Sequence, residues 1–113
     1  MAEENKKPEA AKLNGASITI TLQKSVIANG DEVMSLTFRE PTGGDIERAG
    51  NPVLIDWSTD PPMARYDSKA MTQMMSLLAA VPPSTIRSMN SRDWETAAVQ
   101  LQSFFLPELT STD

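Results

Sequence analysis

Apolar and small polar side chains alternate twice in the first forty residues, each time over a run short enough to be a strand. Residues 17–22 read Ser-Ile-Thr-Ile-Thr-Leu, setting Ile18, Ile20 and Leu22 on one face and the threonines on the other. Residues 33–39 read Val-Met-Ser-Leu-Thr-Phe-Arg, with Met34, Leu36 and Phe38 on one face. Asn29-Gly30 lies between them and marks the reversal of a hairpin. A two-residue turn there would pair Leu22 with Thr37 and send the two apolar rows to opposite sides of the sheet. The pattern therefore predicts a three-residue loop, residues 28–30 with Gly30 left-handed, pairing Leu22 with Leu36 and Ile20 with Phe38.

Beyond Glu40-Pro41, where the proline has no amide to continue a ladder, the period changes from two to between three and four. Thr42-Gly43-Gly44-Asp45 reads as a capping box that opens a short helix over residues 43–49. Residues 50–67 hold three prolines and no sustained period, and read as an irregular connection. Met71, Met74, Met75 and Leu78 then recur at helical spacing, predicting a helix over residues 68–81 that Pro82-Pro83 stops. A short helix over residues 84–89 follows. A last one over residues 92–105 carries Trp94, Ala97, Ala98, Leu101, Phe104 and Phe105 as one stripe until Pro107. The fold class is α+β: an N-terminal β-hairpin followed by a small bundle of three to four helices, forming a single domain over residues 17–106. Residues 1–16, which mix Glu and Lys with little apolar content, read as a disordered tail, and residues 107–113 as a flexible one.

Composition narrows the function. The 113 residues contain no histidine and no cysteine, which removes His-based triads, proton shuttles and thiolate or imidazole metal sites. Carboxylates stand at turns and helix starts, without the alternating acidic loop that calcium needs, so no cofactor or metal is expected. Gly43-Gly44 lacks the Lys-Ser/Thr of a phosphate loop. A net charge of −5 argues against a nucleic-acid partner, and no run approaches the length of a membrane span. Residues 17–60 contain seven acids and three bases, against five and four in residues 61–113, so the acidity belongs to the hairpin half.

What remains is a non-enzymatic protein that binds another protein. Trp57, Met63, Tyr66, Trp94, Phe104, Phe105 and the methionine stripe exceed what one short apolar hairpin face can cover. Trp57, Met63, Met71, Met75 and Phe105 are the candidate contacts, suited to holding an amphipathic helix because thioethers adapt and aromatic side chains anchor. For Met71, Met75 and Phe105, packing in the core and exposure to a partner fit the pattern equally. Trp94, at the start of the most regular stripe, is assigned to the core.

The segment Val33-Met-Ser-Leu-Thr-Phe-Arg-Glu-Pro-Thr-Gly-Gly-Asp-Ile46 resembles the signature of small tail assembly chaperones of contractile-tailed bacteriophages, of the Mu-like or P2-like kind. In these an alternating strand runs into Arg-x-Pro-Thr-x-Gly-Asp, here Arg39, Pro41, Thr42, Gly44 and Asp45. The likeness continues through Leu77-Leu78-Ala-Ala-Val-Pro-Pro and from Ile86 to Asp93, an aspartate that opens the final helix. It implies a protein of the bacterial host cytoplasm, absent from the finished particle, that keeps the tape-measure protein soluble while the tail tube forms. The tail tube protein and a second copy of the chain stand as further candidate partners. The alternative is a structural tube or tail completion component, for which a larger sheet is expected.

Overall fold

The computed structural model describes residues 17–105, so the two expected tails lie outside the described residues. Two antiparallel strands, β1 (Ser17–Ala28) and β2 (Asp31–Arg39), form the first hairpin. A short helix α1 (Gly43–Ala49) leads into a second hairpin, β3 (Val53–Asp56) and β4 (Met63–Tyr66). Three helices follow: α2 (Ser68–Ala79), α3 (Pro83–Arg87) and α4 (Ser91–Leu101), the last running into a 3-10 turn over Gln102–Phe104. The α+β class stands, with a second two-stranded sheet in residues 50–67, which the sequence pattern reads as irregular. Val53-Leu-Ile is a strand-forming run. Its partner, Met-Ala-Arg-Tyr, has little β preference and pairs through tertiary context.

The first hairpin turns on two residues, not three. Asn29 (φ 54°) and Gly30 (φ 90°) both have positive φ, the requirement of the tight turn whose twist suits a hairpin. From it the ladder runs Ala28 with Asp31, Ile27 with Glu32 and Val26 with Val33. It then jumps to Thr21 with Ser35, Ile20 with Leu36 and Ile18 with Phe38. Four residues of β1 thus stand against Met34 alone, and the bulge shifts the register by an odd number. That odd shift reconciles the Asn-Gly turn with apolar rows on one side. The expected pairs, Leu22 with Leu36 and Ile20 with Phe38, are therefore displaced by two residues, although the same rows face the core. Met34, opposite the bulge, is exposed and leaves the apolar row.

Helix α1 has the predicted capping box: the Thr42 hydroxyl accepts from the Asp45 amide at 3.3 Å, and the Thr42 amide donates to Asp45 Oδ2 at 2.8 Å. Helix α2 starts from Asp67, whose carboxylate accepts the Ala70 amide at 3.1 Å. It ends two residues before the predicted limit because Ala80 turns left-handed (φ 57°) and the Val81 amide bonds back to Ser76 O. Pro83 occupies the first turn of α3, where its missing N–H costs nothing. Asn90 caps α4 by accepting the Asp93 amide at 2.9 Å.

The core lies between the inner face of the first hairpin and the helices. Ile20, Leu22, Leu36 and Phe38 meet Met71, Met74, Met75 and Leu78 of α2, Ile86 of α3, and Ala97, Ala98 and Leu101 of α4. Phe38, Met71, Met74, Met75, Ile86 and Leu101 are fully buried. At roughly 1.5–3 kcal/mol for burying each large apolar side chain, this group is the main source of stability.

Candidate partner-binding surface

Two buried carboxylates have strong partners, and both are used internally. Arg39, at the end of β2, grips Asp45 with two nitrogens, at 2.7 and 3.0 Å, while the Thr42 amide and hydroxyl approach the same carboxylate. The Arg39 hydrogen bonds, with help from the Thr42 amide, hold the Asp45 carboxyl well below the usual carboxylate range. The Arg39-to-Asp45 motif is thus a strand-to-helix joint. Within it Pro41 ends the strand. A Cβ at Gly44 would meet only Thr42 Oγ1, at 3.6 Å, so no steric need for glycine arises.

Asp93 does comparable work on the other side. Its carboxylate accepts the Gln23 amide at 3.0 and 2.9 Å and the Lys24 amide at 3.2 Å, filling the gap in the ladder at the bulge. The bulge is therefore held by a residue 70 positions away in sequence. Spacing along β1 gives no sign of it; the one sequence signal is an aspartate three residues after the cap Asn90.

The candidate contacts separate into two groups. Met71 and Met75 are fully buried under the hairpin, so as folded they offer a partner nothing. Their spacing makes them the inner stripe of α2, which the hairpin, α1 and α3 pack around. Phe105 is half-buried, packed on the core beside Phe104 with ring centroids 6.3 Å apart in an edge-to-face arrangement. Trp94 packs against the core and donates from Nε1 to Thr72 Oγ1 at 3.1 Å.

Trp57 and Met63, by contrast, both lie on the second hairpin, 68% and 56% exposed. The register pairs Asp56 with Met63 and Leu54 with Arg65, so Leu54, 51% exposed and not singled out by the sequence pattern, shares the outer face with Met63. Val53 and Tyr66 face inward: Val53 is buried, and the Tyr66 hydroxyl reaches Gln102 Oε1 at 3.4 Å. The base is further fixed by the Asp67 amide on Pro52 O and by the fully buried Pro52. At the tip, Asp56 accepts from the Ser58 hydroxyl and amide and pairs with Arg65 at 3.4 Å. The Ser58 bonds, ahead of Arg65, lower the Asp56 carboxyl. The result is a firmly based hairpin whose outer face presents Leu54 and Met63 beside the Asp56–Arg65 pair, with Trp57 exposed at the turn.

Among the described residues no group of three or more His, Cys, Asp or Glu side chains could hold a metal ion, and no helix is long and apolar enough to cross a membrane. No curated protein and no solved structure matches the chain. A family model described as phage tail assembly chaperone proteins, E, or 41 or 14, matches residues 19–106, which include both hairpins, the Arg39-to-Asp45 joint and all four helices. With well over half of its length matched, the chain belongs to this family of phage tail assembly chaperones.

Proposed function

We propose that this tail assembly chaperone acts without catalysis, binding the phage tape-measure protein in the host cytoplasm and keeping it soluble until the tail tube encloses it. The observation that carries the reading is the outer face of the second hairpin. Leu54, Trp57 and Met63 stay exposed although the core already has a full complement of apolar side chains. An exposed tryptophan on the same hairpin as an exposed methionine and leucine suits the apolar stripe of an amphipathic helix: the ring is a rigid anchor and the thioether adapts.

The test is co-expression with the tape-measure protein encoded by the same phage. The tape-measure protein should be insoluble alone and soluble, in a complex, with the chaperone. Equal solubility with and without it would overturn the proposal. Mass spectrometry of purified particles should find the tape-measure protein and not this chain.

A further inference from the structure

A two-stranded sheet has two outer edges, and those of the first hairpin differ. The edge of β1 is closed from the side: the Asp93 carboxylate takes the Gln23 and Lys24 amides, and the Thr85 hydroxyl donates to Ile27 O at 2.7 Å. The far edge of β2 has no strand beside it, and no backbone group there bonds to another element among the described residues. The tight turn fixes which groups these are. Ala28 and Asp31 flank it as a hydrogen-bonded pair, so the next pair, Ile27 with Glu32, turns its amides and carbonyls outward. The Thr85 bond to Ile27 O shows this on β1. On β2 the N–H and C=O of Glu32 face away from the sheet and, two residues on, so do those of Met34. Proteins usually blunt such an edge by keeping it short or by placing lysine, proline or a bulge on it. The strands of the second hairpin have four residues each, whereas β2 has nine, its bulge lies on the other strand, and residues 33–38 hold neither charge nor proline.

We infer that β2 accepts an extended segment of another protein as a third strand, and that this segment carries Lys or Arg two residues from an apolar side chain. The main-chain groups of Glu32 and Met34 supply the pairing, and the side chains supply the preference. Glu32 and Met34 are exposed and share one face of β2, with Ile27 directly across from Glu32 and exposed as well. On that face the apolar side chain of the incoming strand lies beside Met34 and its cation beside Glu32, at the two-residue spacing that Met34 and Glu32 themselves have. Asp31 adds a second acid at the same end, and neither Asp31 nor Glu32 takes part in an ion pair among the described residues. A second copy of this chain, with its net charge of −5, brings the wrong sign to that margin. The edge belongs to a different sheet from Leu54, Trp57 and Met63, so the inference stands or falls independently of the tape-measure reading.

Selection of random displayed peptides on the full folded chain tests it, followed by amide exchange with one selected peptide made synthetically. Enriched peptides should alternate and carry Lys or Arg two positions from an apolar residue. Binding should newly protect the Glu32 and Met34 amides. N-methylation of alternate peptide residues should weaken binding at least about tenfold when the methyl groups lie on the edge that meets β2, through the lost main-chain bonds, and leave it unchanged when they lie on the other edge. Glu32→Lys should weaken binding roughly three- to tenfold at low salt and little at high salt, where the charge contact is screened. Met34→Pro, which removes one outward N–H, should abolish binding with the circular dichroism spectrum retained; the methylated peptides give the same test on the unmodified protein if that variant loses its fold. A selection that enriches no such pattern would overturn the inference, as would peptides that bind without protecting Glu32 and Met34 or that respond equally to methylation on either edge. So would concentration-dependent protection of these two amides in the free protein, the mark of a second copy on the edge.

Discussion

Replacing Asp93 with alanine removes the acceptor that holds the bulge in β1, and the structure sets the size of the effect. Three short contacts from the Gln23 and Lys24 amides end on this carboxylate. A partly buried donor left unsatisfied costs about 1–3 kcal/mol, and two are orphaned here. Water reaches the exposed side of the bulge and recovers part of that. A further 0.3–1 kcal/mol, roughly, is lost because Asp93 sits in the first turn of α4, where a negative charge is attracted to the positive end of the helix dipole. The sum is about 2–4 kcal/mol, a large fraction of the roughly 5–15 kcal/mol that stabilises a domain of this size. Urea unfolding with an unchanged slope measures the loss, and hydrogen exchange locates it. The Gln23 and Lys24 amides should lose protection while those of Ile18 and Ile20 keep theirs relative to global stability. Asn90→Ala, which removes only the cap, should cost about 1 kcal/mol and leave the bulge amides protected to the same relative degree. A loss below about 0.5 kcal/mol for Asp93→Ala, within the range of an ordinary surface substitution, would refute the bulge-clamp reasoning.

Asp45→Asn should cost about 1–3 kcal/mol near neutral pH, less than a fully buried pair would because Arg39 is half exposed. Because the folded-state pKa of Asp45 lies below its ordinary value of 3.8, the stabilisation is present above that value and is lost as pH falls through the folded pKa. Urea curves for the two proteins should therefore converge under strong acid. Met71→Ala should lower stability by about 2–5 kcal/mol in the same assay, as expected for a fully buried methionine. Gly44→Ala should be neutral or slightly stabilising, by up to about 1 kcal/mol, since helical backbone there accepts a side chain and the added Cβ finds ordinary contact distance; thermal melts decide it.

The α+β class and the strand-to-helix joint were legible because local chemistry encodes them: alternation in residues 17–22 and 33–39, the Thr42–Asp45 box, and the methionine spacing. The hairpin register was not, because the Asn29-Gly30 turn and the apolar rows demand different registers in a regular ladder. A bulge capped from α4 resolves that conflict, and no window of β1 contains Asp93. The second hairpin was hidden for a similar reason. Met63-Ala-Arg-Tyr66 carries little strand preference of its own, and it pairs because Pro52, Val53 and Tyr66 are anchored on the body. Helical spacing identified Met71 and Met75 correctly as one stripe, but spacing alone does not say what covers a stripe. The first hairpin and the flanking helices cover it, which leaves Leu54, Trp57 and Met63 exposed together on the second hairpin, with Ile27, Met34 and Val99 exposed elsewhere.

We propose that the tape-measure protein binds at Leu54, Trp57 and Met63 of the second hairpin. Hydrogen exchange of the chaperone, free and in complex, tests it most directly, at concentrations low enough to keep the free protein monomeric. Protection gained on binding should concentrate in residues 54–63, and Trp57→Ala together with Met63→Ala should weaken the complex at least tenfold, or about 1.4 kcal/mol, with the fold intact. Protection confined to other surfaces, such as the exposed tip around Ile27 and Met34, with residues 54–63 unchanged, would contradict the account.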